Sequence, residues 1–296
     1  MIRDSAAPRP PARPAPLRCG SAVLEFGRRT FLVGIINMTP DSFAGDGLDG
    51  DAGAAEAMGH RWKEQGADLI DVGGRSTRPG AAPVPVEEEV RRTIPAVRRL
   101  VPLGLPVSVD TTSARVAAAA LDAGAAMIND VTALQSDAGM AGVAARAGVP
   151  VVLMDGRNRR GAADIMAETR AYLEERLRAA ASAGIEPARI IVDPGYGFGV
   201  TLAQNMEMLR RLRELTVLGR PILIGTSRKG SIGRVLNLPV HDRMEGTAAT
   251  IVIAIANGAD LIRVHDVLAM ARVARMTDAI VRGLPSDLSA DGTWAP

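Results

Sequence analysis

Aromatic residues are scarce here: Phe, Trp and Tyr together make up 3% of 296 residues. That excludes a core of stacked rings. Ala, Val, Leu, Ile and Met must fill the interior, and a hydrophobic content of 47% leaves room for a large one. A single cysteine, Cys19, excludes an internal disulfide and a Cys-based metal site. Its flanking segments read as irregular, so it receives no role. Lysine is reduced to Lys63 and Lys229, and Arg carries the remaining positive charge. The net charge of +2 is close to balance, and no Lys/Arg run tracks phosphates, so no nucleic-acid partner is expected. No apolar run is long enough to span a bilayer, so no membrane partner is expected either. Residues 1–16 hold five prolines and no apolar stretch of the kind found in a secretory signal. A cytoplasmic location is the expectation.

What is present is a rhythm. Short apolar runs occupy Phe31–Ile36, Leu69–Val72, Pro106–Val109, Ala126–Ile128, Val149–Met154, Ile190–Val192, Ile222–Ile224 and Leu261–Val264. Continuous rather than alternating runs suit strands buried on both faces of a parallel sheet. Helical patterns lie between them, at 52–66, 86–101, 113–124, 137–147, 163–183, 203–216, 241–257 and 266–282. Glycines at 66, 124, 148, 184 and 258 stop several of these before the next strand. Eight such units predict a TIM (β/α)8 barrel in a single domain over residues 21–284, with disordered tails at 1–20 and 285–296. The alternative is a doubly wound open sheet, which calls for a glycine-rich fingerprint after the first strand; Asn37-Met38-Thr39-Pro40 is not one.

In a barrel, chemistry gathers where strands end. The polar exits are Asn37, Asp71, Asp110, Asn129-Asp130, Asp155, Asp193, the run Gly225-Thr226-Ser227-Arg228-Lys229, and Arg263-Val264-His265-Asp266. An acidic or amide residue in such a place is often only a turn former or a helix cap. Asp71 and Asp266, taken singly, read as caps. His60 and His241 fall in helical patterns on the outer wall. Caps, however, need neither a lysine nor an Arg-x-His. Asp110, Asn129 and Asp193 could pair with a flat heterocycle that has adjacent N–H donors and acceptors. Arg78, Arg263 and His265 suit a multiply charged anion such as a diphosphate. Asn37 could hold Mg²⁺ beside that anion, and Lys229 could meet an exocyclic carbonyl.

Seven motifs in one order carry a resemblance to a known family. They are Asn37-Met38-Thr39-Pro40-Asp41-Ser42-Phe43, Gly73-Gly74-Arg75-Ser76-Thr77-Arg78-Pro79-Gly80, Ser108-Val109-Asp110-Thr111, Ile128-Asn129-Asp130, Asp193-Pro194-Gly195-Tyr196-Gly197-Phe198-Gly199, Ser227-Arg228-Lys229 and Arg263-Val264-His265. Over residues 31–282 the chain resembles the dihydropteroate synthases. The resemblance implies replacement of the diphosphate of 6-hydroxymethyl-7,8-dihydropterin diphosphate by the amine of p-aminobenzoate, in folate biosynthesis. It implies a sulfonamide target, Mg²⁺ as cofactor and a homodimer. It puts a metal and diphosphate contact on Asn37, and the pterin pocket on Asp110, Asn129, Asp193 and Lys229. Arg263 and His265 become a diphosphate clamp, and Thr77 and Arg78 a loop closing over the reacting centre. Phe198, Gly225 and Ser227 line the substrate site, with Phe198 and Ser227 on the p-aminobenzoate side. Asp110, Lys229 and Arg78 are the catalytic candidates.

The chain departs from the family pattern at four positions. Arg75 replaces a common Glu, Asp155 a common His, Val200 a usual Lys and Gln204 a frequent His. The run Gly45-Asp46-Gly47-Leu48 is also unusual. Two alternatives accompany the synthase reading: a non-catalytic pterin-binding paralogue, and a folate-dependent methyltransferase barrel, which has no use for the Arg-x-His pair.

Overall fold

The computed structural model describes residues 14–40, 47–76 and 81–284. Thr77 and Arg78, the run 41–46 and the expected tail at 285–296 lie outside the described residues. The other expected tail, 1–20, needs correcting where it is described. Strands β1 (Leu17–Cys19) and β2 (Ala22–Leu24) form an antiparallel hairpin. Leu17, Cys19, Leu24 and Phe26 pack onto Phe31, Leu69, Met127 and Leu261 and plug the bottom of the barrel. Three-residue strands are too short to display a period, so their sequence reads as irregular. The Cys19 thiol donates to the Ala126 carbonyl at 3.5 Å, and burial pushes its pKa up to about 12. A thiol held neutral in this way has packing as its role.

The barrel follows as β3 (Phe31–Asn37), α1 (Ala52–Glu64), β4 (Leu69–Gly73), α2 (Val86–Leu100), β5 (Val107–Asp110), α3 (Ala114–Asp122), β6 (Met127–Asp130) and α4 (Met140–Ala147). It continues through β7 (Val151–Met154), α5 (Ile165–Ser182), β8 (Ile190–Asp193), α6 (Leu202–Arg211), β9 (Leu223–Ile224), α7 (Gly230–Leu236), α8 (Met244–Ala256), β10 (Leu261–Val264) and α9 (Val267–Val281). The sheet order is β8-β7-β6-β5-β4-β3-β10-β9, with every neighbour parallel. A parallel bridge between Val192 and Ile222 joins the two ends, and Val192 N–H donates to the Pro221 carbonyl at 2.9 Å. The ring is closed, which excludes the open-sheet alternative.

Two details differ from expectation. His241 lies in a turn, because α8 starts only at Met244. The short helix α7, directly after Lys229, was not anticipated; seven residues are too few to show a face. Among the described residues, no helix is long and apolar enough to cross a membrane.

Strand alternation places the site. Side chains two apart share a face. The inward positions of β3 are Phe31 and Val33 low in the barrel, then Ile35 and Asn37 near the top. Other strands repeat the plan: Leu69 below Asp71, Met127 below Asn129, Ile191 below Asp193 and Leu261 below Arg263. The lower interior is therefore apolar and the upper interior polar. Outward residues such as Ile36, Ile70, Val109 and Ile128 form the second core, under the helices.

Candidate active site

One cavity opens at the C-terminal ends of the strands. Asn37, Asp110, Asn129, Asp193, Phe198, Gly225, Ser227, Lys229, Arg263 and His265 all line it. Every candidate from the sequence that is described thus meets at one place. Thr39, Arg75, Ser76 and Met154 join them. The expectation of a polar exit from every strand does not hold. Strand β7 sends only the apolar Met154 inward, while Asp155, fully buried, turns away to bind Arg157 and Arg159. Asp130 also leaves the cavity: its carboxylate accepts from Thr132 and Leu134 N–H and caps its own turn.

Asp71 is the main functional position that the sequence reading missed. It is no cap. Its Oδ2 accepts from Arg263 Nε at 2.6 Å and from Asn129 Nδ2 at 3.0 Å. Arg263 Nη2 reaches on to Asp110 Oδ2 at 3.0 Å. The signal was available, since Asp71 shares a face with buried Leu69 and so points inward. Asp266 does stand at the start of α9, but its carboxylate is taken by Arg228.

Burial then sets the charges. Asp110 is 6% exposed, and its Oδ1 has no hydrogen-bond partner. Desolvation raises its pKa well above the ordinary carboxylate range, Arg263 opposes the shift, and Asp71 and Glu89 add to it. Asp193 is pushed up to about 6 by burial, against the pull of Lys229 and a hydrogen bond from Gly195 N–H at 2.7 Å. Lys229 is pulled down to about 8, again chiefly by burial, with Asp193 acting to hold its proton. Perturbed groups converging in one cleft mark a functional site.

Lys229 is aimed by its surroundings. Its ammonium donates to the Tyr196 carbonyl and sits 4.6 Å from the Phe198 ring centroid. Gly197 has φ +82°, and a Cβ there would lie 2.7 Å from Lys229 Cδ, so glycine is required. The loop carrying Gly195 to Gly199 is fastened from behind by Arg159. That guanidinium, 3% exposed, donates to the carbonyls of Asp155, Pro194, Gly195 and Phe198. Gln204, one of the four departures, donates to the Arg159 carbonyl at 2.9 Å and forms a capping box with Thr201. Across the cavity, Ser227 Oγ lies 2.9 Å from His265 Nδ1 and accepts from His265 N–H at 3.2 Å. Arg75 donates to Thr112 Oγ1 at the rim.

Chemically, the cavity offers buried oxygen acceptors interleaved with cationic and imidazole groups, Arg263 lying directly against Asp71 and Asp110. Asp110 Oδ1 and the Asn129 side-chain Oδ1 are free to meet N–H groups. Arg263 keeps Nη1 after Nε and Nη2 are engaged. A planar, donor-rich molecule with an anionic arm matches this arrangement.

Residues 33–265 match the family described as pterin binding enzyme. A dihydropteroate synthase of Clostridium beijerinckii is 46% identical over 90% of this chain and 100% of its own length. The Xanthomonas albilineans dihydropteroate synthase with 4-aminobenzoic acid superposes with a TM-score of 0.85 at 44% identity, over 92% of this chain and 100% of that one. The same organism's enzyme in complex with 7,8-dihydropteroate gives 0.82 at 42% identity, with the same coverage.

Proposed function

The chain belongs to the pterin-binding enzyme family, and within it to the dihydropteroate synthases, and from that premise we propose how its own residues perform the condensation. The substrates are a dihydropterin diphosphate and p-aminobenzoate, and the products are dihydropteroate and diphosphate. The single observation that carries the assignment of roles is the buried acceptor Asp110 Oδ1, left without a partner inside a cavity that Arg263 and His265 also line.

Asp110, the Asn129 side-chain Oδ1 and Asp193 accept the pterin's N–H groups, and Lys229 donates to its carbonyl. Each of these groups is desolvated, so a ligand lacking the matching donors leaves buried acceptors unpaired and is rejected. Arg263 Nη1 and His265 face the diphosphate. Arg75 adds a further positive charge at the same rim. The reaction is a displacement at the exocyclic methylene. The C–O bond to diphosphate breaks, the C–N bond to the amine forms, and the amine loses a proton to water or to the diphosphate. Charge grows on the leaving oxygen, and fixed cations that need no reorganisation stabilise it. The pterin ring spreads the positive charge left behind, and ionised Asp110 favours that charge. The geometry of the amine side rests on Phe198 and Ser227, where a sulfonamide would compete.

Asn37 stands at the top of β3 in the same cavity and offers one neutral amide oxygen. One hard oxygen ligand fits Mg²⁺ that arrives with the diphosphate and otherwise keeps its waters, not a caged resident ion. Bound there, Mg²⁺ supplies Lewis-acid neutralisation of the leaving group. We further propose a homodimer and a cytoplasmic reaction, the latter in keeping with a lone reduced thiol. Complementation of a strain that lacks its synthase tests the reading: growth without added folate precursors supports it. Failure to complement by a chain that still binds pterin favours the non-catalytic paralogue.

A further inference from the structure

Helix α2 opens with three glutamates, and they part company at once. Glu87 and Glu88 engage arginines: Arg115 for the first, Arg91 and Arg92 for the second. Glu89 turns inward and is 1% exposed. A carboxylate so deep is costly unless it is paired, and the helix N-terminus offsets only part of that cost. Its partner is neither an arginine nor a lysine. Thr111 Oγ1 donates to Glu89 Oε1 at 2.6 Å. Thr111 follows Asp110 directly, and its N–H donates to the Asn129 main-chain carbonyl at 3.1 Å. Its Oγ1 also accepts from Ser113 N–H at 3.1 Å. Thr111 therefore ties the end of β5 to the end of β6, between two buried acceptors of the cavity, and Glu89 holds Thr111 from behind. Glu89 itself does not line the cavity. The same helix turn meets the loop after β4. A Cβ on Gly74 would lie 3.0 Å from the Glu89 carbonyl oxygen and 2.1 Å from Thr93 Oγ1. Arg75, next in that loop, donates to Thr112 Oγ1.

Building on the synthase reading, we propose that Glu89 is a positioning residue for the pterin half of the reaction, acting through Thr111 to hold Asp110 and Asn129 at the spacing that the pterin's N–H groups require. A charge-assisted hydrogen bond is short and directional, so it fixes the Thr111 side chain more firmly than a neutral acceptor does. With Thr111 fixed, the turn after β5 is fixed, and Asp110 and Asn129 stay in register with each other. Asn129 is held from its other side by Asp71, at 3.0 Å. The amine side has no such link to α2: Phe198 and Ser227 sit on the loops after β8 and β9. Loss of the Glu89–Thr111 bond thus bears on one substrate and spares the other, which a residue serving the fold alone does not do.

The test is steady-state kinetics on the full chain with Mg²⁺, varying each substrate in turn. Glu89→Ala raises KM for the pterin diphosphate about fivefold or more, the size of one lost hydrogen bond, and leaves KM for p-aminobenzoate within about twofold. Glu89→Gln keeps an oxygen acceptor for Thr111 and restores most of the loss. Thr111→Val reproduces Glu89→Ala, and Thr111→Ser, which keeps the hydroxyl, does not. The double variant Glu89→Ala/Thr111→Val is no worse than either single one, because both remove the same bond. Should Glu89→Ala fail to fold, Thr111→Val and Thr111→Ser carry the comparison. An equal rise in both KM values overturns the inference and leaves the synthase reading standing. Additive losses in the double variant do the same. If the wild-type chain makes no dihydropteroate, the synthase reading falls. Equilibrium binding of 6-hydroxymethyl-7,8-dihydropterin then decides the inference alone: weakening by Thr111→Val upholds it, and unchanged affinity overturns it.

Discussion

Asp71 sits in the third position of β4 and touches two other site residues, yet it faces no open space of its own. It acts through them, as a positioning residue. Asp71→Ala removes the acceptor for Arg263 Nε and Asn129 Nδ2, and a buried group left unpaired costs about 1–3 kcal/mol. We expect a lower unfolding midpoint in denaturant together with at least a tenfold loss in kcat/KM for the pterin diphosphate. Loss of stability with unchanged kinetics would reduce Asp71 to a packing role. Asp110 and Asp193, both raised by burial, set the acid side of the pH dependence, and Lys229 sets the alkaline side. Below about 6, Asp193 takes a proton and stops accepting; above about 8, Lys229 loses one and carries no charge. The profile of kcat/KM for the pterin diphosphate should rise between about 6 and about 7, as Asp193 and then Asp110 ionise, and fall through about 8. Lys229→Arg should remove the alkaline fall while lowering the plateau, since a guanidinium keeps its charge. A wild-type profile flat on the alkaline side would contradict the assignment. Asp110, Asn129, Asp193 and Lys229 were legible in the sequence because each ends a buried strand or opens the loop after it. Asp71 was not, because one aspartate inside an apolar run looks the same whether it caps or pairs; only its two-residue offset from Leu69 tells them apart.

Arg159 shows what stays hidden at the scale of an element. Its partners are mostly main-chain carbonyls, those of Gly195 and Phe198 lying 36 and 39 residues away. A carbonyl leaves no mark in a sequence. Asp155 and Gln204 were read only as departures from the family pattern, and both serve this clamp, outside the cavity wall. The clamp fixes the loop that presents Phe198 and leaves room for Lys229. Arg159→Met should therefore raise KM for p-aminobenzoate more than KM for the pterin diphosphate, with a lower melting temperature. Equal effects on both substrates would mean that the clamp supports the whole site evenly. The β1–β2 hairpin was hidden for a different reason. Its burial is only apparent once the ring exists to receive it, whereas the eight barrel strands announce themselves by apolar runs buried on both faces.

At the scale of the molecule, the barrel was readable because its repeat is regular, and the ring closes where the sequence required it to. Its outer wall is less uniform. Val252 and Ile253 on α8 and Met276 and Ile280 on α9 are apolar and exposed, Ile280 at 71%. An exposed apolar patch on neighbouring helices is what a subunit interface leaves on a single copy, and it supports the proposed homodimer. Ile280→Asp should shift the sedimentation of the protein from dimer to monomer; an unshifted dimer would place the interface elsewhere. The central claim is that the cavity beneath Lys229 joins the two substrates through its buried carboxylate at Asp110. The most direct measurement follows dihydropteroate and diphosphate together, in the purified chain and in Asp110→Asn, with Mg²⁺, pterin diphosphate and p-aminobenzoate supplied. The account predicts one diphosphate released per dihydropteroate formed, and a loss of at least a hundredfold in kcat/KM, about 2.7 kcal/mol of transition-state stabilisation, in the variant. Equal rates from the two proteins would contradict it.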